Sequence, residues 1–310
     1  MPSATHYFND LNASIGAAWN RFWFTLTSAT TLGVLRIATG LLALYAVATY
    51  ATDLERWFAA DGMLPMSLID DLYRPEGQLL GQRSVLDYLP DSMLWPAYWT
   101  ALAVIGLYTL GIGGRAIAVA ATIATLSFFT RAPLLIGEFE HVLAMLMIYL
   151  CLGRACDAFS ILSLFQKKDA APAPLQPPAS SLQSPFNTIS LRLIQVHLAL
   201  IHLMMGYAQL AVPESAWWSG EGVWLAAARP GMSLVDLSSL IDHPRIVAAW
   251  SHAITLYLLA FPVLVWKRLA RPLILTWGAA VWISFAIASG WVPFCLAMLT
   301  GLAAFIEPRE

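Results

Sequence analysis

The chain has 310 residues, of which 59% are hydrophobic and 12% charged, with a mean hydropathy of +0.66. Soluble domains carry about 25% charged residues, so this composition excludes the soluble class and indicates an integral membrane protein. A formal net charge of −2 leaves no basic footprint for nucleic acid, and the three cysteines, Cys151, Cys156 and Cys295, lack the spacing of a disulfide framework or a zinc site.

Residues 1–30 open with a polar tail. Phe8, Leu11, Ile15, Trp19, Phe22 and Trp23 then recur at helical spacing. Two readings fit this segment: an amphipathic helix lying at the membrane surface, or a lead-in to the first span. No cleavable signal peptide is expected, because the first long apolar run begins near residue 31 without a small-residue cleavage site before it. Residues 31–51 are read as that first span, and Arg36 inside it either snorkels to the interface or pairs within the bundle.

Residues 52–92 form a polar loop with eight acids, Asp53, Glu55, Asp61, Asp70, Asp71, Glu76, Asp87 and Asp91. Their spacing fits no standard metal loop, so they read as solvated surface, with a turn at Asp61-Gly62. Residues 94–113 and 116–136 form a hairpin of two spans around Gly111-Ile-Gly-Gly-Arg115, and Arg131-Ala-Pro133 ends the second. Glu138-Phe-Glu140-His141 leads into a fourth span through about residue 153. That grouping is either a proton-handling cluster or an interfacial one.

Residues 154–187 connect the two halves. The Pro/Ala/Ser-rich part, 166–187, is expected to be extended. The fifth span, 188–211, is followed by an aromatic and glycine-rich loop, 212–245, whose Trp217, Trp218 and Trp224 suit an interface belt. The last three spans are placed at about 246–266, 271–290 and 292–306, with Pro262, Pro272 and Pro293 marking ends or kinks. The fold class is therefore all-α: a multi-pass transmembrane helical bundle of about eight spans, with residues 31–306 as its transmembrane domain.

In the fifth span Arg192, Gln195, Ala199, His202, Gly206 and Gln209 recur at spacings of 3, 4, 3, 4 and 3, which places them on one stripe of a helix. His202 lies about 20° from both Gln195 and Gln209 on the helical wheel. Such a stripe should face a bundle interior or a wet cavity rather than lipid. It either holds a ligand, with His202 moving a proton, or makes helix–helix hydrogen bonds. The candidate catalytic residues are His202 and His141. The candidate ligand-binding residues are Arg192, Gln195, Gln209 and Glu140. His197 is read as packing or interfacial, and His252 lies near the outer side of the sixth span. No metal site is expected, because nothing in the spacing of Glu140, His141, His202 and His252 demands one. No Ser-His-Asp arrangement, phosphate loop or dinucleotide fingerprint stands out.

The basic residues are biased to one side. With eight spans, nine Lys/Arg (Arg21, Arg115, Arg154, Lys167, Lys168, Lys267, Arg268, Arg271 and Arg309) share the side of the N-terminus. The positive-inside rule then puts both termini in the cytoplasm and loops 52–92 and 212–245 outside, in the cell (inner) membrane.

Several segments in order resemble a known family. Leu35-Arg-Ile-Ala-Thr-Gly-Leu41 and Trp57…Asp61-Gly-Met-Leu-Pro65 come first. Thr109-Leu-Gly-Ile-Gly-Gly-Arg115, Arg131-Ala-Pro…Gly137-Glu-Phe-Glu-His141 and Met205-Gly-Tyr-Ala-Gln209-Leu210…Trp217-Trp-Ser-Gly-Glu follow. Together they are similar to the HTTM (horizontally transferred transmembrane) proteins, bacterial relatives of vitamin K-dependent gamma-carboxylase, over roughly residues 10–306. The resemblance implies a gamma-carboxylase-like helical membrane bundle with a quinone-sized site. In the carboxylase branch a lysine deprotonates a reduced vitamin K, which reacts with oxygen and removes a glutamate γ-proton before carbon dioxide adds. The position of that lysine is Gln209 here, and an amide is no general base near neutral pH. The resemblance also matches His141 to a histidine that assists carbon dioxide addition.

Whether the protein is an enzyme stays open at this point. The first reading is a membrane enzyme acting on a quinol or lipid, with His141 and His202 handling protons and a reduced quinone as cofactor by resemblance only. The second is a non-catalytic lipid-binding or scaffold protein. The third is a small transporter, disfavoured because no internal repeat is visible. Membrane lipid, and by resemblance a quinone, are the partners expected.

Overall fold

A computed structural model describes residues 4–73, 83–161, 183–228 and 234–306. Arg74, Glu76, Lys167, Lys168, Arg309 and most of the 166–187 connector lie outside the described residues. Among those described, every regular element is a helix and no strand occurs. The stretches read as spans are helices over Thr30–Ala48, Leu94–Leu110, Gly114–Arg131, Glu138–Leu150, Pro185–Ala211, Pro244–Leu264, Arg271–Ser289 and Val292–Leu302. Among the described residues five helical segments are long and apolar enough to cross a membrane: Thr30–Phe58, Asp91–Leu110, Pro185–Ala211, Pro244–Leu264 and Arg271–Ser289. Their outer faces expose Leu41, Tyr45, Leu200, Tyr207, Leu256, Val263, Leu273 and Ile283, an apolar surface that lipid solvates and water does not.

Local chemistry sets the helix ends. Gly111 caps the Leu94–Leu110 helix at φ +75°, its successor's amide (Ile112) reaching back to the Leu107 carbonyl at 2.9 Å. The Gly114–Arg131 helix ends before Pro133, as the Arg-Ala-Pro sequence leads one to expect. Pro272 and Pro293 stand in the first turns of their helices, where a missing amide costs nothing, while Pro262 lies inside the Pro244–Leu264 helix near its end. The turn at Asp61-Gly62 is present: the Met63 amide donates to the Arg56 carbonyl at 2.7 Å. The Ala4–Phe24 segment is one helix, and Leu11, Ile15 and Trp19 are exposed on it.

The chain forms two compact units, Met1–Leu134 with Ala144–Ile194, and Leu135–Leu143 with Gln195–Glu310. In the first, the Thr30–Ala48 and Leu94–Leu110 helices pack together and the second of these packs on Gly114–Arg131. Gly40 permits the first approach, since a Cβ there would lie 2.2 Å from Thr109 Oγ1. Tyr50, Phe58, Tyr98 and Phe128 form an aromatic cluster, with Phe58 and Phe128 centroids 5.3 Å apart. The second unit is built from the Pro244–Leu264, Arg271–Ser289 and Val292–Leu302 helices, with the short Gly222–Ala227 helix against the first two. Its core is aromatic, with Tyr257, Phe261 and Trp282 fully buried.

Candidate functional site

The stripe of the fifth span is buried where its polar groups are densest. Gln195 and His202 are buried, as are Ala199 and Gly206 of the same stripe. Both imidazole nitrogens have protein partners. Nδ1 lies 2.8 Å from the Leu198 carbonyl and Nε2 lies 3.2 Å from the Tyr257 hydroxyl. The ring stacks on Phe261 at 4.1 Å and meets Trp282 edge-on at 5.7 Å. Gln195 Nε2 donates to the Ala304 carbonyl at 2.7 Å. Gln209 Oε1 accepts from Thr255 Oγ1 at 2.7 Å, and the Gln209 carbonyl accepts from the Ser215 hydroxyl at 2.6 Å. Gly206 accommodates Leu258 and Leu259, because a Cβ there would meet Leu259 Cδ2 at 2.9 Å. Gln195, His202 and Gln209 thus each share a hydrogen bond with a group outside their own helix.

Arg192 belongs to the first unit. Its Nε donates to the Phe22 carbonyl at 3.2 Å, and its guanidinium lies 4.6 Å over the Phe22 ring. Glu140 and His141 form a cluster of their own at the start of the Glu138–Leu150 helix. Glu140 Oε2 accepts from the Gly137 amide at 2.8 Å, as a first-turn acid of a capping box does. His141 is exposed, with Nδ1 2.6 Å from the Gly137 carbonyl. His252 is exposed beside Gly220. No group of three or more His, Cys, Asp or Glu side chains that could hold a metal ion occurs among the described residues.

Two buried arginines in the first unit carry more of its polar structure than any residue of the stripe. Arg36 is fully buried and donates to the carbonyls of Ala155 at 2.9 Å, Ala158 at 2.9 Å and Phe159 at 3.0 Å. Of its two sequence-level readings, pairing inside the bundle is the one realised, with backbone rather than a carboxylate as partner. Arg131 donates to the Leu64 carbonyl at 2.9 Å and the Ala59 carbonyl at 3.0 Å, and its Nε lies 3.8 Å from Asp87 Oδ1. Asp87 therefore departs from the solvated reading given to the loop acids: its side chain is 1% exposed. Its other oxygen accepts from the Ser84 amide at 2.8 Å, half of a capping box. In the turn that Arg36 grips, burial pushes the Cys156 thiol above its ordinary pKa, with the Arg36 guanidinium pulling the other way.

Concavities of different sizes border this framework. A groove of about 530 Å³ runs between the Leu94–Leu110 and Gly114–Arg131 helices, lined by Ala97, Ala101, Val104, Ala120, Ala124 and Phe128 among others. Small side chains on both facing helices leave it open. Ser127 and Thr100 are its polar members, and both hydroxyls already donate to carbonyls of their own helices. A second cavity of about 380 Å³ lies at the opposite end of Gly114–Arg131, beside Arg115 and Arg154. Sequence reasoning reached neither: a groove between two helices is a property of their crossing, and its only sequence trace is the alanine content of the facing stripes. No family model, no curated protein and no solved structure matches the chain.

Proposed function

We propose that the chain is an HTTM-like, eight-span integral membrane protein with a gamma-carboxylase-like bundle, and that it holds a lipid-type molecule with an apolar tail, such as a quinone, without carboxylase chemistry. The observation that carries this reading is the apolar groove between the Leu94–Leu110 and Gly114–Arg131 helices. Lipid-binding sites are mostly apolar concavities with few polar groups, and this groove has that character. The stripe supports the absence of carboxylase chemistry from the other side. A general base must reach the proton that it takes. His202 is enclosed by Phe261, Tyr257 and Trp282 with both nitrogens engaged, and Gln209 stands where the resemblance puts a lysine.

The test is ligand retention by the reconstituted chain. A short-chain menaquinone is the probe, with Ala124→Phe and His202→Phe beside the native protein. Ala124→Phe fills the groove with a ring and is expected to weaken retention about tenfold, the equivalent of about 1.4 kcal/mol. His202→Phe is expected to leave it unchanged. Loss in the His202 variant with the Ala124 variant unaffected would return the ligand to the polar stripe. Oxygen uptake with a reduced vitamin K in the native protein would make it an enzyme despite Gln209.

The eight-span count and the inner-membrane orientation belong to the same reading. The Glu138–Leu150 and Val292–Leu302 helices have 13 and 11 residues, short of the ~20 that a bilayer core requires. Flanking turn residues would complete both. The charge bias puts the 52–92 loop outside. A cysteine at Tyr88, which is 69% exposed, should therefore react with an impermeant maleimide in intact cells. Labelling only after the membrane is ruptured would reverse the orientation.

A further inference from the structure

The turn after the Glu138–Leu150 helix is flanked by Arg36, Arg115 and Arg154. Behind it lies Arg36, spent on the Ala155, Ala158 and Phe159 carbonyls; its Nε has no hydrogen-bond partner among the described residues. In front of it is the cavity of about 380 Å³, whose wall includes Arg115, Arg154, Cys156, Asp157, Ser184 and Phe186. Among the described residues Asp157 is the one carboxylate in that wall, and Arg154 Nε holds it at 2.5 Å. Arg115 has no carboxylate partner among the described residues. Its guanidinium donates to the Leu152 carbonyl and lies 5.6 Å over the Phe186 ring, engagements that use few of the five N–H donors an arginine offers. Ala118, Leu150 and Phe186 add an apolar floor.

Three guanidinium groups thus surround one turn, and Arg115 keeps donors to spare. The pattern matches what a phosphate needs: planar donors able to bind two oxygens at once, with a positive local potential. A basic pocket between transmembrane helices is also where anionic lipid headgroups are recognised.

We propose that the cavity bounded by Arg115, Arg154 and Ser184 binds the phosphate group of an anionic ligand, with the phosphodiester headgroup of a membrane lipid as the source that its apolar floor fits. The site is separate from the groove, and menaquinone retention measured in parallel distinguishes failure here from failure there.

The test uses the full chain in phosphatidylcholine nanodiscs containing a minor fraction of phosphatidylglycerol, with the lipids retained after extraction counted by native mass spectrometry. The native protein should retain phosphatidylglycerol in preference to phosphatidylcholine. Arg115→Gln should reduce that preference about tenfold. Asp157→Asn provides a variant whose expected effect is a gain: it removes the carboxylate that repels an anion, so preference should rise several-fold. A misfolded protein does not produce that increase. Displacement of phosphatidylglycerol by millimolar inorganic phosphate would support the anion site and assign it to a soluble phosphate; resistance to displacement would assign it to the headgroup. No preference in the native protein, or a preference unchanged in both variants, would overturn the proposal.

Discussion

Arg131→Ala is expected to destabilise the protein by about 3–5 kcal/mol, the range for removing one partner of a buried ion pair. The physical reason is what stays behind. Asp87, whose side chain is buried in the native protein, would lose the guanidinium beside it, and the carbonyls of Ala59 and Leu64 would lose their donor. Asp87 also fixes the Ser84 amide, and Ser84 donates to the Ser127 carbonyl at 2.6 Å. The loss should therefore spread to the connection between the 83–93 segment and the Gly114–Arg131 helix. Unfolding of the purified chain in mixed micelles, titrated with dodecyl sulfate, reads the effect. Asp87→Leu combined with Arg131→Met should be less damaging than Arg131→Ala alone, because no charge is then left buried. A double variant as unstable as the sum of its singles, or a single variant within about 1 kcal/mol of native, would show that the pair is not coupled.

Arg36→Ala should cost about 3 kcal/mol or more. Each charged hydrogen bond contributes roughly 1.5–3 kcal/mol, and buried acceptors left without donors add to the loss. Arg36 serves three carbonyls of the 155–159 segment. It also packs under Gly111, where a Cβ would lie 2.4 Å from its Nη1. Arg36→Lys should recover little, because a compact ammonium cannot span three acceptors as a planar fork does. Gly111→Ala should be harmful for a second reason, since the position has φ +75° as well as no room. The same micelle titration measures all three variants. Arg36→Lys at native stability would mean that charge alone, not the fork, holds the turn. One of the three, Ala155, lines the basic cavity, so Arg36→Ala should also lower phosphatidylglycerol preference if that cavity binds phosphate.

What the sequence by itself determined was local. Hydropathy places the chain in a membrane, because lipid solvates an apolar helix surface and water does not. The glycines at 111, 113 and 114 mark the hairpin turn, and Pro133, Pro272 and Pro293 mark helix ends, because their backbone preferences act within one or two residues. The stripe of Arg192, Gln195, His202 and Gln209 was legible as a face, because helical periodicity is a property of the segment alone. Its role was not, because a face says nothing about what lies across from it. Only the tertiary structure decided that His202 meets Tyr257 and Phe261. The same holds for Asp87, which sat unmarked among eight acids of one loop until its neighbours were placed. Arg36 and Arg131 show the reason most directly. Their partners are main-chain carbonyls 119 to 123 and 67 to 72 residues away. Every residue carries such a carbonyl, so no residue type in the sequence announces the acceptor, and only the path of the chain brings it within reach.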